Sequence, residues 1–300
     1  MKYVLMKSVM GRVPKIDLTE QEYAAIKTAQ NILTNGLSME EKYDLVISNY
    51  LDFEEALLNS ALHSMIKGEY TYHNFFLIRA LFNRRVVNLL TAARLYRDQL
   101  QRHVESASPD DRNAKQTIRQ LFSKEYDLSF EYRFMEELRN TVQHFGFPVH
   151  WTNFGPSWDS LGEQGNLQFS VDVWSRKTNL EADDSFKGSI LEEAPDEIDL
   201  KKTVRKYVEA ISRVHIGARA LVQESILAAR SAIEKAISRY RTEYSGSMVG
   251  LFVIRVSDEG EFVDRIPVML EWDDIRVQLE KRNKLLRNLS KRYVSSKIQQ

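Results

Sequence analysis

The sequence predicts an α+β protein dominated by helices, and three observations predict it. Long stretches carry apolar residues every three or four positions, and residues 72–105 do so without a single Gly or Pro. Leu167, Phe169, Val171 and Val173 alternate with Gln168, Ser170, Asp172 and Trp174, the period of two that marks a half-buried strand. Apolar runs at 251–256 and 261–270 flank Asp258-Glu259-Gly260 and read as a hairpin.

Taken in order, residues 2–10 alternate weakly and suggest an edge strand. Thr19-Glu20-Gln21-Glu22 is a capping box, because the Thr hydroxyl and the Glu carboxylate can satisfy each other's orphan amides. It opens a helix expected to stop at Gly36. Ser38-Met39-Glu40-Glu41 repeats the start signal and opens a long amphipathic helix that ends at Gly68. The next helix, from about Tyr72 to Glu105, has a continuous apolar stripe and six arginines, among them Arg84 and Arg85. Ser108-Pro109-Asp110-Asp111 caps a shorter helix, with Pro at its permitted first position. A last helix should run from Ser129 to Phe145, with Gly146 in the left-handed C′ position and Pro148 closing it.

Two long helices, a short one and this last one make a four-helix bundle over residues 38–148, behind an arm and short helix at 1–37. Residues 149–300 form a mixed region of strand hairpins and long helices, of no assigned role. Within it, 181–199 reads as an acidic solvated loop and 200–244 as one helix. Pro267 puts the second hairpin strand on an edge. The chain then closes on an amphipathic helix (Ile275, Leu279, Leu286, Leu289, Tyr293) whose polar positions are mostly Lys and Arg.

Composition narrows the classes. Hydrophobic content of 43% with 28% charged residues is that of a soluble globular protein. No apolar run reaches the roughly 20 residues of a membrane helix, and the N-terminus is too basic behind its short apolar part for a secretory signal, so no membrane and a cytoplasmic location are expected. Absence of cysteine removes disulfides and thiolate chemistry. A formal net charge of zero gives no global field for nucleic acid, so any RNA binding must rest on local patches.

The helix at 129–145 carries the most chemistry. With Arg139 at zero and about 100° per residue, Phe130, Phe134, Met135, Leu138, Thr141, Val142 and Phe145 fill roughly one side. Arg133, Glu136, Glu137, Arg139, Asn140, Gln143 and His144 fill the other, and Asn140 and His144 are neighbours at i, i+4. A guanidinium, a carboxamide and an imidazole thus share a face. RNA can be cut without a metal when its own 2′-hydroxyl attacks the neighbouring phosphate, given a base, an acid and fixed positive charge on the phosphorane. His serves either proton role near neutrality and Arg offers a planar fork to phosphate oxygens. One His cannot readily be both acid and base in one turnover, so a two-fold dimer that doubles the set would complete the site.

Arg139-Asn140-Thr141-Val142-Gln143-His144, inside LRNTVQHFGFPV, resembles the motif of the HEPN superfamily, and the resemblance spans roughly residues 38–148. It implies a helical bundle, a homodimer with paired motifs at its interface, and a metal-independent endoribonuclease of toxin–antitoxin or antiviral type, with an RNA substrate, an antitoxin or regulatory partner, no cofactor and no metal ligands. In that role His144 is the acid/base, Arg139 stabilises the phosphorane and Asn140 positions. Arg133, Gln143, Arg84 and Arg85 are the accessory RNA-binding candidates. Some members carry a modifiable Tyr two residues after the His; here Gly146 stands there. The alternative is a non-catalytic module of the same family that binds RNA or a protein partner, and beyond it a plain helical scaffold. Arg97 and His103 form a second Arg/His match, read as a solvated helix face. His215 reads as a hydrogen-bonded core residue. Trp151, Phe154 and Trp158 suit packing or base stacking.

Overall fold

The computed structural model describes residues 1–8, 13–158 and 165–295. Among them are eight α-helices and two small antiparallel sheets, so the protein is α+β and mainly α. It divides into two compact units, each assembled from three separated segments. Unit 1 comprises Met1–Glu41, Gln99–Ile118 and Gly217–Lys284; unit 2 comprises Lys42–Asp98, Arg119–Ile216 and Leu285–Gln300. Residues 38–148 therefore contribute to both.

The helices are α1 (Glu20–Lys67), α2 (Tyr72–Ala107), α3 (Ala114–Leu128), α4 (Phe130–His144), the short α5 (Lys177–Leu180) and α6 (Gly188–Glu193), α7 (Leu200–Glu243) and α8 (Glu271–Arg282). The capping box at Thr19 forms as expected: Glu22 Oε2 accepts from the Thr19 amide at 2.7 Å, and Thr19 Oγ1 from the Glu22 amide at 3.2 Å. The stop at Gly36 does not occur. Helix α1 runs straight through it, because Gly36 serves close packing: a Cβ there would lie 2.8 Å from Ile226 Cδ1 and 3.3 Å from Arg276 Cδ. Ser38 is accordingly interior to the helix. Gly68, with φ of 59°, does end α1 in the left-handed region.

In unit 1 a four-stranded sheet has the order β2-β1-β6-β7, built from β1 (Lys2–Lys7), β2 (Lys15–Leu18), β6 (Leu251–Val256) and β7 (Phe262–Pro267). The register places Leu5 opposite Val253, and both are fully buried. The strand at the N-terminus is thus internal rather than an edge, since β2 covers its other side. β7 is an edge, as Pro267 requires.

In unit 2 the sheet has the order β3-β4-β5, from β3 (Trp151–Trp158), β4 (Leu167–Arg176) and β5 (Glu197–Asp199). β3 carries Gly155 and Pro156, which hide it from propensity. Gly155 sits at φ of 146°, with the Tyr70 ring 3.3 Å from where a Cβ would be, and an edge strand tolerates Pro. The expected acidic loop at 181–199 contains α6 and β5, with Ile190, Leu191 and Ile198 buried. The C-terminal helix stops at Arg282. Asn288 takes a left-handed φ of 55° before a 3-10 turn at Leu289–Lys291, and the Leu286 amide donates to Ser212 Oγ of α7 at 2.9 Å, so the α-helix does not continue through this segment.

Candidate functional site

Helix α4 begins where Ser129 stands as an extended N-cap whose hydroxyl accepts from the Tyr132 amide at 3.2 Å. It ends with the amides of Phe145 and Gly146 both donating to the Thr141 carbonyl, at 2.8 and 3.0 Å. Gly146 closes it without entering the left-handed region. Phe134, Met135, Leu138 and Thr141 are buried as the apolar arc demands, whereas Phe145 is 55% exposed and Tyr132, on the opposite arc, is buried.

The opposite arc is not a free polar face. Glu136 pairs with Arg97 of α2 and accepts from the Tyr207 hydroxyl of α7 at 2.8 Å. Glu137 is buried; it accepts from Lys187 at 3.1 Å, and the Asn140 amide faces it at 3.5 Å. Arg139 is half-buried and donates to Asn140 Oδ1 at 3.1 Å, while its Nε–H is buried without a hydrogen-bond partner. Burial pulls the Arg139 pKa down and nearby Arg94 adds to that, against Asp98 and Tyr207; a guanidinium stays charged through such a shift. Arg94 itself donates to Asp98 at 2.7 Å. Arg94, Arg97, Asp98, Glu136, Arg139 and Tyr207 therefore form one polar cluster joining α2, α4 and α7. Tyr207 lies within it with its phenol pushed far up by burial.

His144 lies elsewhere on the helix. It is exposed and makes no side-chain hydrogen bond to a described residue. Its charge adds weakly to the hydrogen bonds from Ser185 and Thr141 that hold Asp183 below the ordinary carboxylate range. Arg139 and His144 are about 140° apart around the axis, so within one chain the structure brings Arg139 to Asn140 but does not bring Arg139 to His144.

The accessory residues divide. Arg133 is occupied: its Nη2 donates to both Glu193 oxygens at 2.8 and 2.7 Å and its Nη1 to the Tyr126 carbonyl at 2.8 Å. Arg85 donates to Asp52 at 2.7 Å. Arg84 and Gln143 are exposed, and neither makes a hydrogen bond to a described residue. The second Arg/His match is not a solvated face, because Arg97 pairs with Glu136 and lies over the Phe122 ring, and His103 is buried with Nδ1 2.9 Å from Asn35 Oδ1. His215 is the expected core residue: fully buried, stacked on Tyr43 at 3.8 Å, with Nδ1 3.1 Å from the Tyr96 hydroxyl. The expectation missed Arg94, Asp98 and Tyr207. Arg94, Arg97 and Asp98 sit at i, i+3 and i+4, and this shared helical face was the available signal.

Among the described residues no group of three or more His, Asp or Glu could hold a metal ion, and no helix is long and apolar enough to cross a membrane. No family model matches the chain, and neither a curated protein nor a solved structure matches it.

Proposed function

We propose that the protein is a metal-independent endoribonuclease of HEPN type that cleaves RNA by 2′-hydroxyl attack in a site completed by a second copy of the chain. The observation that carries this reading is the exposure of His144 on the same helix that holds Arg139, a guanidinium with no ion pair to a described carboxylate. An exposed, unbonded imidazole is free to move a proton; a guanidinium held by Asn140 is oriented without being neutralised by a direct ion pair. Because the two diverge around the axis, the imidazole of one protomer and the guanidinium of its partner meet on one phosphate more readily than the pair within a chain. The cellular role this implies is a growth-arrest or phage-defence effector in the cytoplasm, restrained by an antitoxin or regulatory protein.

The half-burial of Arg139 favours a second reading, a non-catalytic module in which Arg139 organises the α2–α4–α7 cluster and the His144 end binds RNA or a protein. Incubating total RNA in excess EDTA with the wild type, His144→Ala and Arg139→Ala separates the two. Cleavage abolished in both variants supports the nuclease; RNA binding without cleavage in the wild type supports the module.

A further inference from the structure

Two cavities in unit 2, each of about 340 Å³, meet at Arg79 and His150, which line both. The first is walled by rings that packing leaves in the open, with Tyr72 86%, Phe76 49% and Trp151 37% exposed. The second is flanked by Phe145 at 55% and Phe147 at 69%. No Asp or Glu lines either cavity. The carboxylate bonded to a lining residue, Asp183, has both oxygens taken, one by Thr141 at 2.8 Å and the other by Ser185 at 2.6 Å.

Arg79, between the cavities, is half-buried and makes no hydrogen bond or ion pair to a described residue. His150 is locked beside it, with Nδ1 accepting from the Arg176 amide at 2.9 Å. Burial first, then Arg176 and Arg79, push its pKa down to about 4, so the imidazole is a neutral wall and Arg79 supplies the charge. The Arg176 guanidinium lies 5.8 Å over the Trp151 ring and faces Glu197 at 3.7 Å, so its charge is shared with that carboxylate.

A ring-lined lobe on each side of one uncommitted guanidinium matches a ligand with two planar rings joined through one anion. We propose that Arg79 is the phosphate-holding centre of a two-lobed site for a dinucleotide unit, with one base against Trp151 and Phe76 and the next against Phe145 and Phe147. Guanidinium forks suit phosphate oxygens, and aromatic faces take unstacked bases with little regard to sequence. The unit is either a free dinucleotide or one step of a single strand. The site goes beyond the nuclease reading and does not require it, since binding and cleavage are read separately.

Isothermal titration calorimetry with a 2′-O-methyl dinucleotide, the matching mononucleotide and a 2′-O-methyl hexamer tests the proposal, because none of these can be cut by 2′-hydroxyl attack. The dinucleotide should bind saturably and at least roughly tenfold tighter than the mononucleotide, and Arg79→Gln should weaken it by a similar factor. Phe147→Ala should weaken it about fivefold or more. Comparable affinity for dinucleotide and hexamer points to a free ligand, and a much tighter hexamer points to a strand. Absence of saturable binding, equal affinity for mononucleotide and dinucleotide, or binding untouched in an Arg79→Gln protein of normal circular dichroism would overturn it.

Discussion

At the scale of single residues, burial decides which charges are spent. Glu40 is fully buried and receives a two-pronged bond from Arg219, Nε at 2.8 Å and Nη2 at 2.6 Å. Removing Glu40 strips the largely buried Arg219 guanidinium, 16% exposed, of its carboxylate. Glu40→Ala should therefore lower stability by about 3–5 kcal/mol in urea unfolding, well beyond the cost of an exposed pair such as Arg94–Asp98. His150 makes a second residue-scale prediction. Its folded pKa of about 4 lies below the unfolded value of roughly 6.5, so its contribution is whole above the higher value and is lost as pH falls toward the lower. The shift alone corresponds to about 3.4 kcal/mol, and solvent screening of this half-buried ring reduces it, so wild-type stability should fall by roughly 2 kcal/mol across that window through this group and a His150→Gln protein should show a correspondingly flatter profile. An unchanged slope in the variant would assign the acid sensitivity to other groups.

At the scale of elements, some start and stop signals were legible and others were not: Ser38 lies inside α1, and the third helix begins at Ala114 rather than at the expected Ser108-Pro109 cap. Ser129 and Thr19 cap as their types demand, because an N-cap needs only a local side-chain oxygen near an orphan amide. Ser129→Ala should cost about 1 kcal/mol. Gly36 misled because a helix-breaking residue is also the one that lets another helix approach, and which use applies depends on Ile226, some 190 residues away in sequence. Gly36→Ala should be close to neutral, the gain in helix propensity offset by displacing the Ile226 methyl. Gly36→Leu should destabilise by about 1–3 kcal/mol, read from thermal melts.

Helix α4 shows the same division. Its apolar arc is set by period, but its polar arc, expected to face RNA and a second copy of the chain, receives Arg97 of α2 and Tyr207 of α7 at Glu136. Amphipathicity says which side is apolar; it cannot say that the polar side is dry. His144 and Arg84 are exposed, and neither side chain makes a hydrogen bond to a described residue.

At the scale of the molecule, a net charge of zero is not a lack of charge. Helix α7 alone forks Arg205 onto Glu54, Arg213 onto Glu125, Arg219 onto Glu40 and Arg230 onto Asp273 and Asp274. Much of the basic charge is consumed internally, while Arg79 and Arg84 are among the cations that make no ion pair to a described residue. The α+β, mainly helical class was readable because periods of 3.6 and 2 are local. The two units were not, because each is assembled from three segments distant in sequence.

The central claim is that His144 moves a proton during attack by the 2′-hydroxyl. The most direct measurement is the chemistry of the new RNA ends made in excess EDTA. The wild type should leave 2′,3′-cyclic phosphate and 5′-hydroxyl ends, and His144→Ala should leave none. Intact RNA in both, or ends bearing 3′-hydroxyl and 5′-phosphate, or cleavage undiminished without the imidazole, would contradict it.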